Sequence, residues 1–202
     1  MTQTSLIIII LIFISACSTV ASREDNIVAA TRKPKIKEEG RTSTYIQKVD
    51  KAFIGMTVEE LKEAYPNAIF KEEPLYEYGV DSEGTGLLVI ENNEPLLFAW
   101  TLEDDNKIHS LTVLSPKIKV DSNVHVGMTV QEFLEKYPNS TLAINLIDDR
   151  FEFIHIMDKK YSIEFITTDS SRVGNYDFSE AEPEFKSLNR PEATIDRIEI
   201  LK

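Results

Sequence analysis

The sequence contains few of the residues on which disulfide and metal chemistry depend. Of its 202 residues, one is cysteine, three are histidine and one is tryptophan. A single cysteine excludes an internal disulfide framework and a cysteine-rich zinc site. Basic residues are also in deficit, because 22 Lys and Arg against 34 Asp and Glu give a net charge of -12. Such a chain repels a phosphate backbone, so we expect no nucleic-acid partner.

The amino terminus carries one short apolar run, at residues 6–14. This run is shorter than the ~20 apolar residues that a membrane-spanning helix needs, but it fits the apolar region of an export signal. The following string, Ile14-Ser15-Ala16-Cys17, resembles the bacterial lipobox. The resemblance implies that residues 1–16 are a lipoprotein signal peptide and that Cys17 is lipidated and becomes the mature amino terminus. An ordinary secretory signal and an uncleaved anchor are the alternatives.

The residue after Cys17 indicates in which membrane the lipoprotein is anchored. Ser18 stands where an Asp, by resemblance to enterobacterial lipoproteins, would favour retention in the inner membrane. We therefore expect an outer-membrane lipoprotein that faces the periplasm.

Residues 17–50 are polar and carry seven basic and five acidic side chains, whereas residues 51–202 carry 15 basic and 29 acidic ones. This predicts a flexible tether with a charge of +2, followed by an acidic body with a charge of -14.

An internal repeat organises the body. Residues 53–67 return at residues 125–139, at an offset of 72, and both copies contain Gly-Met-Thr-Val and Tyr-Pro-Asn. Self-similarity at a fixed offset indicates a duplication. We divide the body into a first repeat at residues 51–122 and a second at residues 123–202.

The repeated residues have a structural explanation. Thr57 and Glu60, like Thr129 and Glu132, form the Thr-x-x-Glu pattern of a capping box at a helix start. Apolar residues follow at helical spacing. Each helix should end at the Tyr before Pro, because proline disfavours helical dihedral angles at the preceding residue.

Four alternating segments typical of half-buried strands follow each helix. They are residues 68–78, 86–91, 96–102 and 107–114, then residues 141–147, 151–157, 161–168 and 194–201. The pattern predicts an α+β fold: a tandem repeat of one helix followed by a four-stranded antiparallel sheet, in which the two repeats share a core.

Tandem units that open with Gly-Met-Thr and an amphipathic helix resemble the fold shared by the beta-lactamase inhibitor protein and the small outer-membrane lipoproteins of the BamE type. Residues 108–202 also resemble a family of sigma-E-regulated bacterial lipoproteins of unknown function, through an Ile-x-x-Leu-x-Val strand and a Val-x-Val-Gly approach to the helix. These motifs are structural, so the resemblance implies a fold and transfers no binding residue.

Residues that could carry out catalysis do not converge in any recognisable motif. His109, His125 and His155 have no partner at a metal-ligand spacing, and no Gly-x-Ser-x-Gly nucleophile elbow is present. We therefore predict no catalytic residues, no metal and no cofactor, and expect a protein that is not an enzyme.

The second repeat differs from the first by a long insertion at residues 169–193. Loops of this length are uncommon in compact domains and are often functional. Aromatic residues and arginine dominate interface energetics. We therefore predict a protein-recognition loop, with a lid over the sheet as the alternative. Its candidate contact residues are Arg172, Tyr176, Phe178, Phe185 and Arg190.

These features predict a lipid-anchored cell-envelope protein that acts as a non-enzymatic protein-binding module, either an envelope assembly factor or an inhibitor of an extracytoplasmic enzyme. Its membrane contact is lipidated Cys17, and the acidic body favours a cationic protein partner. The alternative is a small-ligand-binding or envelope-stress lipoprotein with a cleft between the repeats.

Overall fold

The computed structural model describes residues 46–102, 105–179 and 181–201. The signal peptide, Cys17 and most of the tether lie outside these residues. The described residues form two helices, α1 Val58–Ala64 and α2 Val130–Lys136. Their strands, in chain order, are β1 Lys48–Val49, β2 Ala52–Phe53, β3 Ile69–Pro74, β4 Thr85–Glu91, β5 Glu94–Thr101, β6 Ile108–Val113, β7 Ala143–Ile144, β8 Phe151–Ile156, β9 Tyr161–Ile166, β10 Gly174–Asp177, β11 Glu184–Leu188 and β12 Arg197–Ile200.

One eight-stranded antiparallel sheet dominates the fold, with the strand order β3-β4-β5-β6-β12-β9-β8-β7. Strands β1 and β2 form a small separate sheet, as do β10 and β11. The predicted fold class is therefore wrong: the protein is mostly β and is not a tandem repeat of a helix followed by a four-stranded sheet. The reason is a ladder between β6 and β12, in which Ile198 lies opposite Val113. This ladder joins all eight strands into one sheet.

The same ladder lies where the alternative function places a cleft between the repeats. At the junction of residues 51–122 with residues 123–202, hydrogen-bonded strands make the sheet continuous. Each of the eight predicted strand segments does overlap a strand of this sheet. The first segment ends early, because the chain turns into a short 3-10 helix at Leu75–Tyr78.

Local hydrogen bonds fix both helices. The Thr57 side chain accepts from the Glu60 N–H at 3.1 Å, and the Glu60 carboxylate accepts from the Thr57 N–H at 2.7 Å. Thr129 and Glu132 repeat the exchange at 3.2 Å and 3.0 Å. The predicted capping boxes are confirmed, and the Tyr that precedes Pro is the C-cap residue of each helix.

The inner face of the sheet packs against both helices. Apolar residues from six neighbouring strands lie side by side in register on this face and are fully buried, together with Leu61 of α1 and Phe133 of α2. These strand residues are Val89, Leu97, Val113, Ile198, Ile163 and Ile154. Burial of this face supplies the main hydrophobic stabilisation of the fold.

The opposite, outer face is polar at its centre. Glu199 lies opposite Thr112 on one side and Ser162 on the other, and both of these side chains are buried. Residues 75–84, which connect β3 to β4, fold across this face; we call them the flap. The ring of Tyr78 in the flap stacks on Phe98 of β5, with ring centroids 3.6 Å apart.

Candidate binding surfaces

The insertion at residues 169–193 forms a hairpin, β10–β11, whose base is held by a buried carboxylate. Glu152 of β8 is fully buried. It accepts hydrogen bonds from the Val173 N–H at 2.8 Å, the Gly174 N–H at 2.9 Å and the Tyr176 hydroxyl at 2.7 Å. Buried charges are tolerated where hydrogen bonds satisfy them. Glu152 thus fixes where the hairpin leaves the sheet.

The aromatic residues of the hairpin divide between its base and its tip. Tyr176 and Phe185 are partly buried and pack against the main core. Burial and the nearby Glu152 carboxylate raise the pKa of Tyr176, so its hydroxyl stays a donor to that carboxylate. Phe178 is 63% exposed. The base therefore folds back on the core, while one aromatic ring at the tip remains open to contact.

The two arginines predicted to contact a partner also make contacts within this chain. Arg172 donates to the backbone oxygen of Asp149 at 2.8 Å and forms ion pairs with the carboxylates of Asp149 and Asp169. Arg190 donates to the backbone oxygen of Ser171 at 3.1 Å and pairs with Glu192. Both side chains hold the insertion in shape.

On the outer face, Arg197 of β12 holds the flap in place. Its guanidinium is buried, forms an ion pair with Glu164 and lies 4.3 Å from the ring of Phe151. One nitrogen, Nη1, donates to the backbone oxygen of Glu77 at 3.0 Å. Gly79, which follows the 3-10 helix of the flap, has a φ of +76°, and a Cβ there would lie 2.8 Å from Arg197 Nη2. A residue from the centre of the sheet thus fixes the path of a surface loop.

Glu199 lies beside this ion pair, on the same face. Burial, together with the neighbouring Glu164 carboxylate, raises the pKa of Glu199 to about 7 against the opposing effect of Arg197. The hydroxyl of Ser110 lies 3.4 Å from the Glu199 carboxylate. Glu199 is therefore a partly buried acid whose pKa lies near neutral pH.

A groove of about 590 Å³ opens between the flap and the ends of β9 and β12. Tyr76 of the flap and Ile166 of β9 both line it and are 53% and 55% exposed. Leu114 also lines the groove, together with acidic residues. The groove combines exposed apolar surface with negative charge.

The histidines lie apart from these surfaces or make ordinary contacts. The ring of His109 lies 4.8 Å from that of Trp100, and the ring of His155 lies 4.5 Å from that of Phe153. His125 lies in the approach to α2. Among the described residues, no three or more His, Cys, Asp or Glu side chains are grouped to hold a metal ion. Nor does this part of the chain contain a helix long and apolar enough to cross a membrane.

Sequence reasoning missed Glu152 and Arg197, which hold the two loops. Both lie in strands where charged and apolar residues alternate, a pattern that ordinarily places the charged side chains in solvent. Both residues are buried and form hydrogen bonds to a loop that is distant in sequence. No signal in the local sequence identifies them.

The chain resembles a solved structure of uncharacterised function. No protein-family model matches the chain, and a search of curated proteins finds no match. The chain is similar to the uncharacterized protein yfeY from Escherichia coli, whose crystal structure aligns with a TM-score of 0.49 and 11% identity over 77% of this chain and 97% of that chain. The resemblance to lipoproteins of the BamE type stays a prediction.

Proposed function

We propose that this chain is a lipid-anchored protein of the bacterial cell envelope that acts as a non-enzymatic protein-binding module. Its contact surface is the tip of the β10–β11 hairpin. The observation that carries the proposal is the exposed ring of Phe178 on a hairpin whose base is fixed by Glu152. An exposed aromatic ring on a hairpin with a fixed base suits partner binding, because less conformational entropy is lost on binding.

The charge of the hairpin supports a cationic partner. Asp177, Glu182 and Glu184 lie along it, and Lys186 offsets part of their charge through contacts of 2.7 Å to Glu184 and 3.7 Å to Asp177. The body as a whole is acidic as well, with a net charge of -14 over residues 51–202. Such a field speeds encounter with a positively charged protein.

The anchor is tested separately from the binding surface. Mass spectrometry of the mature amino-terminal peptide, from protein made in bacterial cells, should find Cys17 as the first residue with acyl chains attached. More than one chain gives stable membrane attachment. An unmodified thiol at Cys17 would contradict the lipoprotein proposal.

The binding surface is tested by cross-linking the full-length protein in envelope membranes, followed by identification of captured proteins. Phe178→Ser should abolish capture of a defined partner. Met157→Ser is the matched control, because Met157 is 75% exposed and lies in the β8–β9 turn. Neither change should alter the unfolding midpoint, since both side chains face solvent. Equal capture by both variants would show that Phe178 is not the contact residue.

A further inference from the structure

The groove on the outer face is a second surface, separate from the hairpin. The hairpin packs against the inner core, whereas the groove lies beside the flap on the other side of the sheet. Tyr76 and Ile166 supply its exposed apolar surface. Monomeric proteins leave such surface grouped around a concavity chiefly at interaction sites.

The groove is preformed. Its flap wall is fixed by the Arg197 hydrogen bond to the backbone of Glu77 and by the stacking of Tyr78 on Phe98. These contacts join the flap to β12 and β5, both of which belong to the central sheet. A ligand would therefore meet a shaped wall and would not have to order a loose one.

Charge at the groove is negative. Three carboxylates line the groove, those of Glu73, Glu77 and Asp196, and the one cation among its lining residues, Arg197, is buried and paired with Glu164. The lining therefore carries a net charge of about -2 before any longer-range contribution. Adding the ion-pair partners of these residues, Glu164 for Arg197 and Lys71 for Glu73, leaves this balance unchanged.

We propose that this groove binds a segment of a partner protein in which Lys or Arg alternates with apolar residues. The apolar side chains pack against Tyr76 and Ile166, and the basic ones lie along Glu77 and Glu73. A cation near the Tyr76 ring gains a further cation–π attraction. The basis is charge complementarity together with exposed apolar surface, so the inference does not depend on the hairpin.

The test uses the full-length protein in detergent micelles and a fluorescently labelled ten-residue peptide of alternating Lys and Leu, followed by fluorescence anisotropy. A peptide of alternating Glu and Leu is the charge-reversed probe. Glu77→Gln should weaken binding of the Lys-Leu peptide up to ~fivefold, as expected for a charge pair at a surface. Tyr76→Ala should weaken it by ~tenfold, as for an aromatic contact residue. Both losses should be measured at low salt, where surface charge is least screened.

Two controls separate groove binding from general attraction to an acidic protein. Glu63→Gln removes the same charge from an exposed position on α1, and Met157→Ala removes an exposed apolar side chain elsewhere. Both should bind the peptide as the unmodified protein does. Equal losses in Glu63→Gln and Glu77→Gln, or equal binding of the Glu-Leu peptide, would overturn the proposal.

Two further outcomes are informative. One would show that the groove is a self-association surface, and the other separates the groove proposal from the hairpin proposal. If the protein dimerises in sedimentation and Tyr76→Ala dissociates it, the groove is a self-association surface and the proposal fails. Phe178→Ser should bind the peptide normally. Loss of partner capture in Phe178→Ser, with no effect of the groove variants on the peptide, overturns the groove alone. Peptide binding at the groove without any partner capture overturns the hairpin alone.

Discussion

The partly buried acid Glu199 gives the sharpest test of the outer face. Its pKa is raised from 4.5 to about 7 by burial and by the adjacent Glu164 carboxylate. In the unfolded chain the same group titrates near its ordinary value, so between these two pH values the folded state holds a proton that the unfolded state has lost. The free energy of unfolding therefore falls as pH rises through this window. One pKa unit corresponds to ~1.4 kcal/mol, so the loss amounts to about 3 kcal/mol by pH 8.

The substitution that tests this is Glu199→Gln, which resembles the protonated acid and cannot titrate. Near pH 4.5 the two proteins should have similar stability. At pH 8 the variant should be more stable by up to about 3 kcal/mol, because it avoids a buried charge. Urea denaturation followed by the fluorescence of Trp100, the single tryptophan, measures both free energies.

Other titrating groups cancel in this comparison. Burial raises the pKa of Asp196 and lowers the pKa of His155, and these shifts act on stability with opposite signs. Both groups are present in the parent protein and in Glu199→Gln, so the difference between the two pH profiles reports Glu199. A difference that stays constant from pH 4.5 to pH 8 would refute the assignment of a shifted pKa to this residue.

Three further predictions concern local contacts, each measured by urea denaturation. Glu152→Gln should lower stability by about 3 kcal/mol, because an amide cannot accept all three hydrogen bonds to the hairpin base, and it should expose the hairpin to proteolysis. Thr57→Ala and Thr129→Ala should each cost about 1 kcal/mol through loss of a helix cap, and the double variant should show their sum because the caps lie in separate helices. Gly79→Ala should cost roughly 1–2 kcal/mol from its left-handed backbone, with more added if the new Cβ displaces Arg197; a neutral result would contradict the fixed position of the flap.

Features encoded by neighbouring residues could be predicted from the sequence. A capping box links residues three apart, so Thr57 and Glu60 were sufficient to locate the start of α1. Proline after Tyr65 located its end, and alternation located the strands. These interactions lie within one turn or one strand, where composition and spacing determine the outcome.

Strand pairing over long distances could not be predicted in this way. The ladder of β6 with β12 joins residues such as Leu111 and Ile200, and nothing in either strand specifies the other as its partner. Both are apolar and alternating, so either could have formed the edge of a four-stranded sheet. The expected two sheets became one because pairing two free edges satisfies backbone groups that would otherwise remain open.

The candidate surfaces follow from the same long-range pairing. Glu152 on the inner face and Arg197 on the outer face are buried charges, and neither position is one that hydrophobic burial alone would favour. Glu152 accepts from backbone amides of the hairpin, and Arg197 donates to a backbone carbonyl of the flap. Glu152 thus holds the hairpin on one side of the sheet, and Arg197 holds the flap on the other side. Each loop carries an aromatic ring that is more than half exposed, Phe178 on the hairpin and Tyr76 on the flap. We infer that the two buried charges serve to position these rings, in which case replacing either charge should disorder one ring and leave the other surface intact.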